Sequence, residues 1–261
     1  MEIETSTLLT LAVVALFAGF FDAIAGGGGL LTLPALFIAG VEPLAAMATN
    51  KFQASSASVS AVCAFARKHM IEWRTGWQMA ALSFAGGVAG ALSISMLDRT
   101  VLESAVPILL IAVATYFAFS PRLAERDRRQ RLSHFGFTLA IAPFIGFYDG
   151  IFGPGTGSFF MVAFTLLLGQ HLMQAICSSK LLNASCNLGA LSVFTFGGAI
   201  IWPLALVMAV CAIIGAQVGA RCALYFGPRL VKPLLIAVCC LMAIKLLLGD
   251  GHPVGEWLRQ L

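Results

Sequence analysis

Charge is scarce in this chain. Of 261 residues only 16 are Lys or Arg and 12 are Asp or Glu, 11% in all, where a water-soluble domain carries about 25%. With 59% hydrophobic residues and a mean hydropathy of +0.92, there is too little polar surface to face water on all sides. Histidine is rarer still: His69, His134, His171 and His252 are scattered over different loops, which leaves no metal cluster and no His-based catalytic set. HExxH, GxSxG and Walker patterns are missing, so neither an enzyme nor ATP-powered transport is expected, and no cofactor is implied. The seven cysteines at 63, 177, 186, 211, 222, 239 and 240 form no CxxC and no Cys/His ligand set; each reads as a small hydrophobe. Met1 to Thr7 is acidic and lacks a basic n-region, so no cleaved signal peptide is expected.

What the chain does have is long apolar runs. They cover about 7–25, 30–40, 43–66, 75–97 and 101–119, then 134–152, 158–169, 172–196, 203–224 and 229–248. Several are near the roughly 20 residues that a membrane crossing needs. The fold class expected is therefore an all-α polytopic membrane protein with about eight to ten membrane segments.

The runs fall into two matching sets of five. Asp22 corresponds to Asp149 at an offset of 127, whereas Lys51 and Lys180, Trp73 and Trp202, Gly86 and Gly215, and Gly90 and Gly219 all correspond at 129. A period near 128 residues is too long for a solenoid repeat and suits a half-transporter. The units read as an N-terminal repeat at 1–120, a basic linker at 121–133 and a C-terminal repeat at 134–261.

Net charge is +4, but the excess lies in short loops, where it reports topology rather than a nucleic-acid partner. The linker holds Arg122, Arg126, Arg128, Arg129 and Arg131 against Glu125 and Asp127, and the loop at 67–74 holds Arg67, Lys68 and Arg74. Both are expected to be cytoplasmic. The repeat counterpart of that loop, 197–202, has no charge and is expected outside, so the halves are expected to be inverted. Inversion needs an odd number of crossings per half. The 30–40 run has only 11 residues, about 16 Å of helix, so a re-entrant or broken pair with three full spans is expected; five crossings satisfy the parity as well. Trp73 and Trp202 read as interfacial anchors.

Each repeat carries the same chemistry in the same order. Asp22 is followed by Gly26-Gly27-Gly28-Gly29 and then Asn50-Lys51; Asp149 is followed by Gly153-Pro154-Gly155-Thr156-Gly157 and then Ser179-Lys180. Consecutive glycines exceed what helix packing needs, so they are expected to break helices within the membrane. The helices that follow, near Leu30 and Ser158, would offer free backbone N–H groups and a positive dipole end, with Gly27, Gly28, Gly155 and Thr156 at the breaks. The GxxxG pairs Gly86/Gly90 and Gly215/Gly219 read instead as packing sites.

Lys51 and Lys180 lie within the first turns of apolar helices. Lys180, Asn183 and Asn187 share a face by their spacing; the corresponding face of the first repeat holds Lys51, Ala54, Ser55 and Ser58, with Asn50 and Gln53 nearby. A cation among amide and hydroxyl donors suits an oxyanion such as sulfite, a sulfonate or a carboxylate. The bland reading is a lysine neutralised by Asp22 or Asp149 to hold the bundle together, and the two readings coexist. The aspartates either pair with the lysines or carry protons. The chief rival is a transporter of a cation or zwitterion with Asp22 and Asp149 as ligands.

Through Gly19-Phe20-Phe21-Asp22, Ala48-Thr49-Asn50-Lys51-Phe52-Gln53, Gly146-Phe147-Tyr148-Asp149 and Ser179-Lys180-Leu181-Leu182-Asn183-Ala184-Ser185-Cys186-Asn187, the sequence resembles the TauE/SafE sulfite-exporter-like permeases (TSUP), in their YfcA-like branch. The resemblance covers essentially the whole chain. It implies a multi-pass secondary transporter of the bacterial inner membrane with eight or so helices, handling sulfite, organosulfonates and related anions. The implied partners are a small anion and the lipid bilayer, with homo-oligomerisation left open. The second copy departs from the first at Gly153-Pro154-Gly155 and at Ser179, where the first has Asn50, so unequal half-sites are expected.

Overall fold

The computed structural model describes residues 4–96 and 129–226. The expected segments 101–119 and 229–248, the boundary at 120, most of the basic linker, Cys239, Cys240 and His252 lie outside the described residues. What is described is all-helical. In the first half α1 is Thr5–Ala25, α2 Gly29–Ile38, α3 Pro43–Ala66 and α4 Trp73–Ser95. In the second, α5 begins at His134–Gly136, passes through a π-helical turn at Phe137–Ile141 and continues as Ala142–Ile151. There follow α6 (Thr156–Leu167), α7 (Leu172–Phe196) and α8 (Trp202–Phe226).

Local chemistry explains these boundaries. The Ser133 hydroxyl caps α5 by accepting from the Gly136 N–H at 3.1 Å. Pro143 then lacks a donor and would crowd the carbonyl one turn back; the wider turn just before it relieves that crowding, with Ala142 N–H reaching back to Phe137. Pro43 opens α3, where a missing N–H costs nothing. Gly26, at φ 78°, turns the chain out of α1 with its N–H on the Asp22 carbonyl at 2.9 Å.

Among the described residues three helices are long and apolar enough to cross a membrane: Thr5–Ala25, Trp73–Ile94 and Trp202–Tyr225. Helices α3 and α7 have 24 and 25 residues, about 36 Å each, but their inner faces hold Lys51, Ser55, Ser58, Lys180, Asn183 and Asn187, all buried. Helices α2 and α6 have only 10 and 12 residues, about 15 and 18 Å against a hydrocarbon core of about 30 Å. The outward faces are apolar instead. Leu9, Val13 and Phe17 on α1, and Leu206, Val210, Ile214 and Val218 on α8, recur at helical spacing and are exposed. Apolar outside and polar inside is the distribution that lipid demands.

The helices of one half pack mainly on those of the other. The largest interfaces join α1 to α8 and α4 to α5, followed by α4 with α7 and α3 with α8, while α3 and α7 meet at the centre. Exchanging α1–α4 for α5–α8 maps this pattern onto itself. Glycine makes the close approaches: Gly215 and Gly219 lie on the backbone of Leu16 and Phe20, and Gly86 and Gly90 on that of Pro143 and Phe147. There the GxxxG pairs do pack helix on helix.

Register gives direction. Leu16 meets Gly215 and Phe20 meets Gly219, while Thr49 reaches Ile201 and Ser60 reaches Gln217; α1, α3 and α8 therefore run the same way. Ser83 reaches Leu182, Gly87 meets Cys186, and Gly86 and Gly90 advance along α5, so α4, α5 and α7 also run together. The six-residue turn Arg67–Glu72 between α3 and α4 reverses the chain. The short α2 and α6 each return the chain between two helices of like direction. Trp73 and Trp202 are the first residues of α4 and α8, both half-exposed.

Candidate functional site

Where α1 ends and α6 begins, the two glycine breaks touch. A Cβ on Gly157 would lie 2.7 Å from the Gly26 Cα and 3.1 Å from the Lys180 Nζ, so only glycine lets the backbones cross there. The Ser158 hydroxyl, opening α6, donates to the Ala25 carbonyl at the end of α1. At the other break, Gly153 and Gly155 take φ 95° and 83°, and the Thr156 hydroxyl donates back to the Gly153 carbonyl at 2.7 Å. Tyr148 locks this loop by donating to the Pro154 carbonyl at 2.7 Å. Gly27, Gly28, Gly155 and Thr156 are all buried, but the Thr156 hydroxyl closes its own turn rather than facing an open space.

The lysines and aspartates converge on these breaks, and they do so across the halves. Lys51 Nζ on α3 is 2.8 Å from Asp149 Oδ2 on α5; Lys180 Nζ on α7 is 3.0 Å from Asp22 Oδ2 on α1. Both lysines are 1% exposed and both aspartates are buried. The sequence left open which of Asp22 and Asp149 neutralises which lysine. The geometry pairs each aspartate with the lysine of the other half, because the C-terminal end of each broken helix abuts the first turns of the other half's long polar helix. Four buried charges sum to zero.

The amides divide unequally. Lys51 Nζ donates to Asn187 Oδ1 at 3.2 Å, and Asn187 Nδ2 donates to the Asn183 carbonyl at 2.8 Å and to its Oδ1 at 3.0 Å. The asparagine face that α7 shares with Lys180 thus serves the lysine of the first half. Ser58, which corresponds to Asn187 at the 129-residue offset, turns its hydroxyl to the Ala54 carbonyl of its own helix at 2.7 Å. Asp22 Oδ1 accepts from Gly28 N–H at 3.4 Å, which places the protein's own carboxylate at the positive end of α2. Asn50 accepts from the Thr32 hydroxyl on α2. Gln53 is buried at 2%, two residues past Lys51 and so on another side of α3.

Thr32, Ser158, Gly153 and Tyr148 take part in this centre without having been singled out as ligands. Short hydroxyl residues in helices ordinarily bond their own backbone, so no spacing distinguishes Thr32 or Ser158. Gly153, in the second glycine run, and Tyr148, beside Asp149 in the second motif, did carry a positional signal.

A buried cluster of opposed lysines and aspartates at two helix breaks is the layout of a transporter core. The family profile described as "Sulfite exporter TauE/SafE" matches residues 11–246. The chain belongs to that family. It is 45% identical over 251 residues to a probable membrane transporter protein, ORF9, of a Sinorhizobium species, with 96% of each chain covered. It is 42% identical over 246 residues to the probable membrane transporter protein YfcA of Escherichia coli K12, covering 94% of this chain and 91% of that one. A Methanocaldococcus jannaschii probable membrane transporter protein is 25% identical over 267 residues, covering 95% and 98%. No solved structure gives a significant match. This TauE/SafE member is a membrane transporter whose buried charges form two ion pairs across its halves.

Proposed function

We propose that the chain is a multi-pass secondary transporter of the bacterial inner membrane that moves small anions, sulfur-containing ones such as sulfite or organosulfonates, by alternating access between two inverted halves. The observation that carries this reading is the placement of two 1%-exposed ammonium groups beside glycine breaks that open α2 and α6. Lys51 and Lys180 supply charge, Asn187 sets its amide oxygen on Lys51 and is itself held by Asn183, and the helix starts at Gly27, Gly28, Gly155 and Thr156 supply dipole. Inversion is supported by direction: α1, α3 and α8 run together, opposite to α4, α5 and α7, so each of these six helices has its repeat counterpart in the other set. The family's description supports the substrate class. The basic loop with Arg67, Lys68 and Arg74, all exposed, marks the cytoplasmic side.

The test is sulfite flux into proteoliposomes. Lys51→Ala and Lys180→Ala each abolish it while the protein still purifies as a folded species; unchanged flux in both variants overturns the anion site. A zwitterion or cation as cargo is the second reading, favoured by the zero net charge of the cluster. Under that reading amines, and not sulfonates, compete for binding.

A further inference from the structure

We propose that Tyr148 is a positioning residue of the transport site: its hydroxyl holds the α5–α6 break rigid beside Lys51, so that the bending step of transport falls to the α1–α2 break. The inference rests on the alternating-access reading and adds to it which break is fixed, which one flexes and which side chain decides.

The two breaks are built from corresponding residues but fastened differently. Tyr148 stands on α5, reaches past the break and donates to the Pro154 carbonyl at 2.7 Å. Its ring meets Phe152 just before the break and Phe159 beyond it edge-on, at 6.4 and 5.3 Å. The Gly153 carbonyl accepts the Thr156 hydroxyl at 2.7 Å and the Thr156 N–H at 3.2 Å, and the Pro154 ring fixes its own φ. At the 127-residue offset the first break has Phe21 for Tyr148, Gly27 for Pro154 and Gly29 for Thr156. Phe21 has no hydroxyl and sets its ring against Phe20 of its own helix, and two glycines in place of proline and threonine widen the backbone's freedom. The clasp across the first break is Asp22: its Oδ1 accepts Gly28 N–H at 3.4 Å while its Oδ2 serves Lys180. A 3.4 Å bond to a shared carboxylate is a weaker clasp than the 2.7 Å phenol bond.

The helices beyond the breaks differ in the same sense. Helix α2 contains Pro34, which has no N–H for the Leu30 carbonyl and so softens the helix just after the break; α6 contains no proline. Helix α6 packs chiefly on α7, whereas α2 packs chiefly on α1, the helix it leaves, and reaches α3 through the Thr32–Asn50 hydrogen bond. Bending at the second break would strip α6 from α7; α2 has no equally large contact with α3 to lose. What Tyr148 holds still bears directly on the site. Gly153, next to Pro154, is so close to Lys51 that a Cβ on it would lie 2.6 Å from Nζ. If the loop shifted, its backbone would move against that ammonium group.

The test is amide hydrogen exchange of the detergent-solubilised full chain, read beside sulfite flux into proteoliposomes. In the wild type, amides at 26–31 exchange faster than those at 153–159. Tyr148→Phe speeds exchange at 153–159 by about three- to tenfold, the effect of one lost hydrogen bond, and leaves 26–31 as it was. It also raises the half-saturating sulfite concentration several-fold with little change in maximal rate. Pro34→Ala, which gives α2 its missing N–H, does the reverse: the maximal rate falls and half-saturation holds. A role of Tyr148 in folding alone would lower the melting temperature and the maximal rate without moving half-saturation. Wild-type exchange at 153–159 as fast as at 26–31 overturns the inference. So does a Tyr148→Phe chain in which either exchange at 153–159 or half-saturation stays as in the wild type, and an unchanged maximal rate in Pro34→Ala overturns the assignment of bending to α2. A wild type that moves no sulfite overturns the anion reading, and hydrogen exchange, which needs no substrate, then decides the inference alone.

Discussion

Replacing Lys51 with methionine keeps the bulk of the side chain and removes its charge. Asp149 is then left at 1% exposure with its cation gone. Breaking one partner of a buried ion pair costs about 3–5 kcal/mol. For a chain of this size about 1 kcal/mol corresponds to roughly 2–4 °C in melting temperature, so Lys51→Met should melt on the order of 10 °C below the wild type. The pairing seen here predicts which second substitution rescues it. Lys51→Met/Asp149→Asn removes both charges and should recover most of the loss, since buried pairs replaced by neutral groups are often close to neutral in stability. Lys51→Met/Asp22→Asn leaves both Asp149 and Lys180 unpaired and should be worse than either single change. A double-mutant cycle by thermal unfolding in detergent measures this, with a coupling of about 2–3 kcal/mol expected for the first pair. Rescue by Asp22→Asn instead of Asp149→Asn would refute the cross-half pairing.

Other expectations follow from the same centre. Gly157→Ala places a Cβ 2.7 Å from the Gly26 Cα, a backbone atom that cannot swing away. It should destabilise by about 1–3 kcal/mol or more, read as a lower melting temperature. Gly153→Ala combines a strained φ of 95° with a Cβ 2.6 Å from the Lys51 Nζ, so transport should fall well beyond any change in stability; equal losses in both would count against a role for Lys51 in flux. Thr32→Val removes the buried hydrogen bond from α2 to Asn50 and should cost about 1–2 kcal/mol, with no change in which anions bind.

Much of this centre was legible because membrane chemistry penalises charge. Asp22, Lys51, Asp149 and Lys180 stood out as ionisable residues in apolar surroundings, and each is buried. Glycine runs marked the breaks at Gly26, Gly153 and Gly155, which take left-handed backbone conformations, and the apolar runs located the described helices to within a few residues. The pairing was not legible. A duplicated motif shows that two copies exist, but not whether each closes on itself or on the other, and that depends on how α1 and α5 cross α7 and α3. The same crossing hands Asn187 to Lys51, although helical spacing alone links it to Lys180. The π-helical turn at Phe137–Ile141 left no mark beyond Pro143, whose crowding is resolved in three dimensions. Thr32 and Ser158 were hidden because a hydroxyl facing another helix looks, in sequence, like one bonded to its own.

The central claim is that this buried, charge-balanced cluster binds a small anion. Thermal unfolding of the purified full chain with sulfite, ethanesulfonate, chloride or a primary amine tests it most directly. At a hundredfold excess over its dissociation constant a true ligand stabilises by about 2.7 kcal/mol, a shift of several degrees. Sulfite or ethanesulfonate should raise the melting temperature of the wild type and leave Lys51→Met/Asp149→Asn unmoved. Stabilisation by the amine alone, or an equal shift in the variant lacking the pair, would contradict the account.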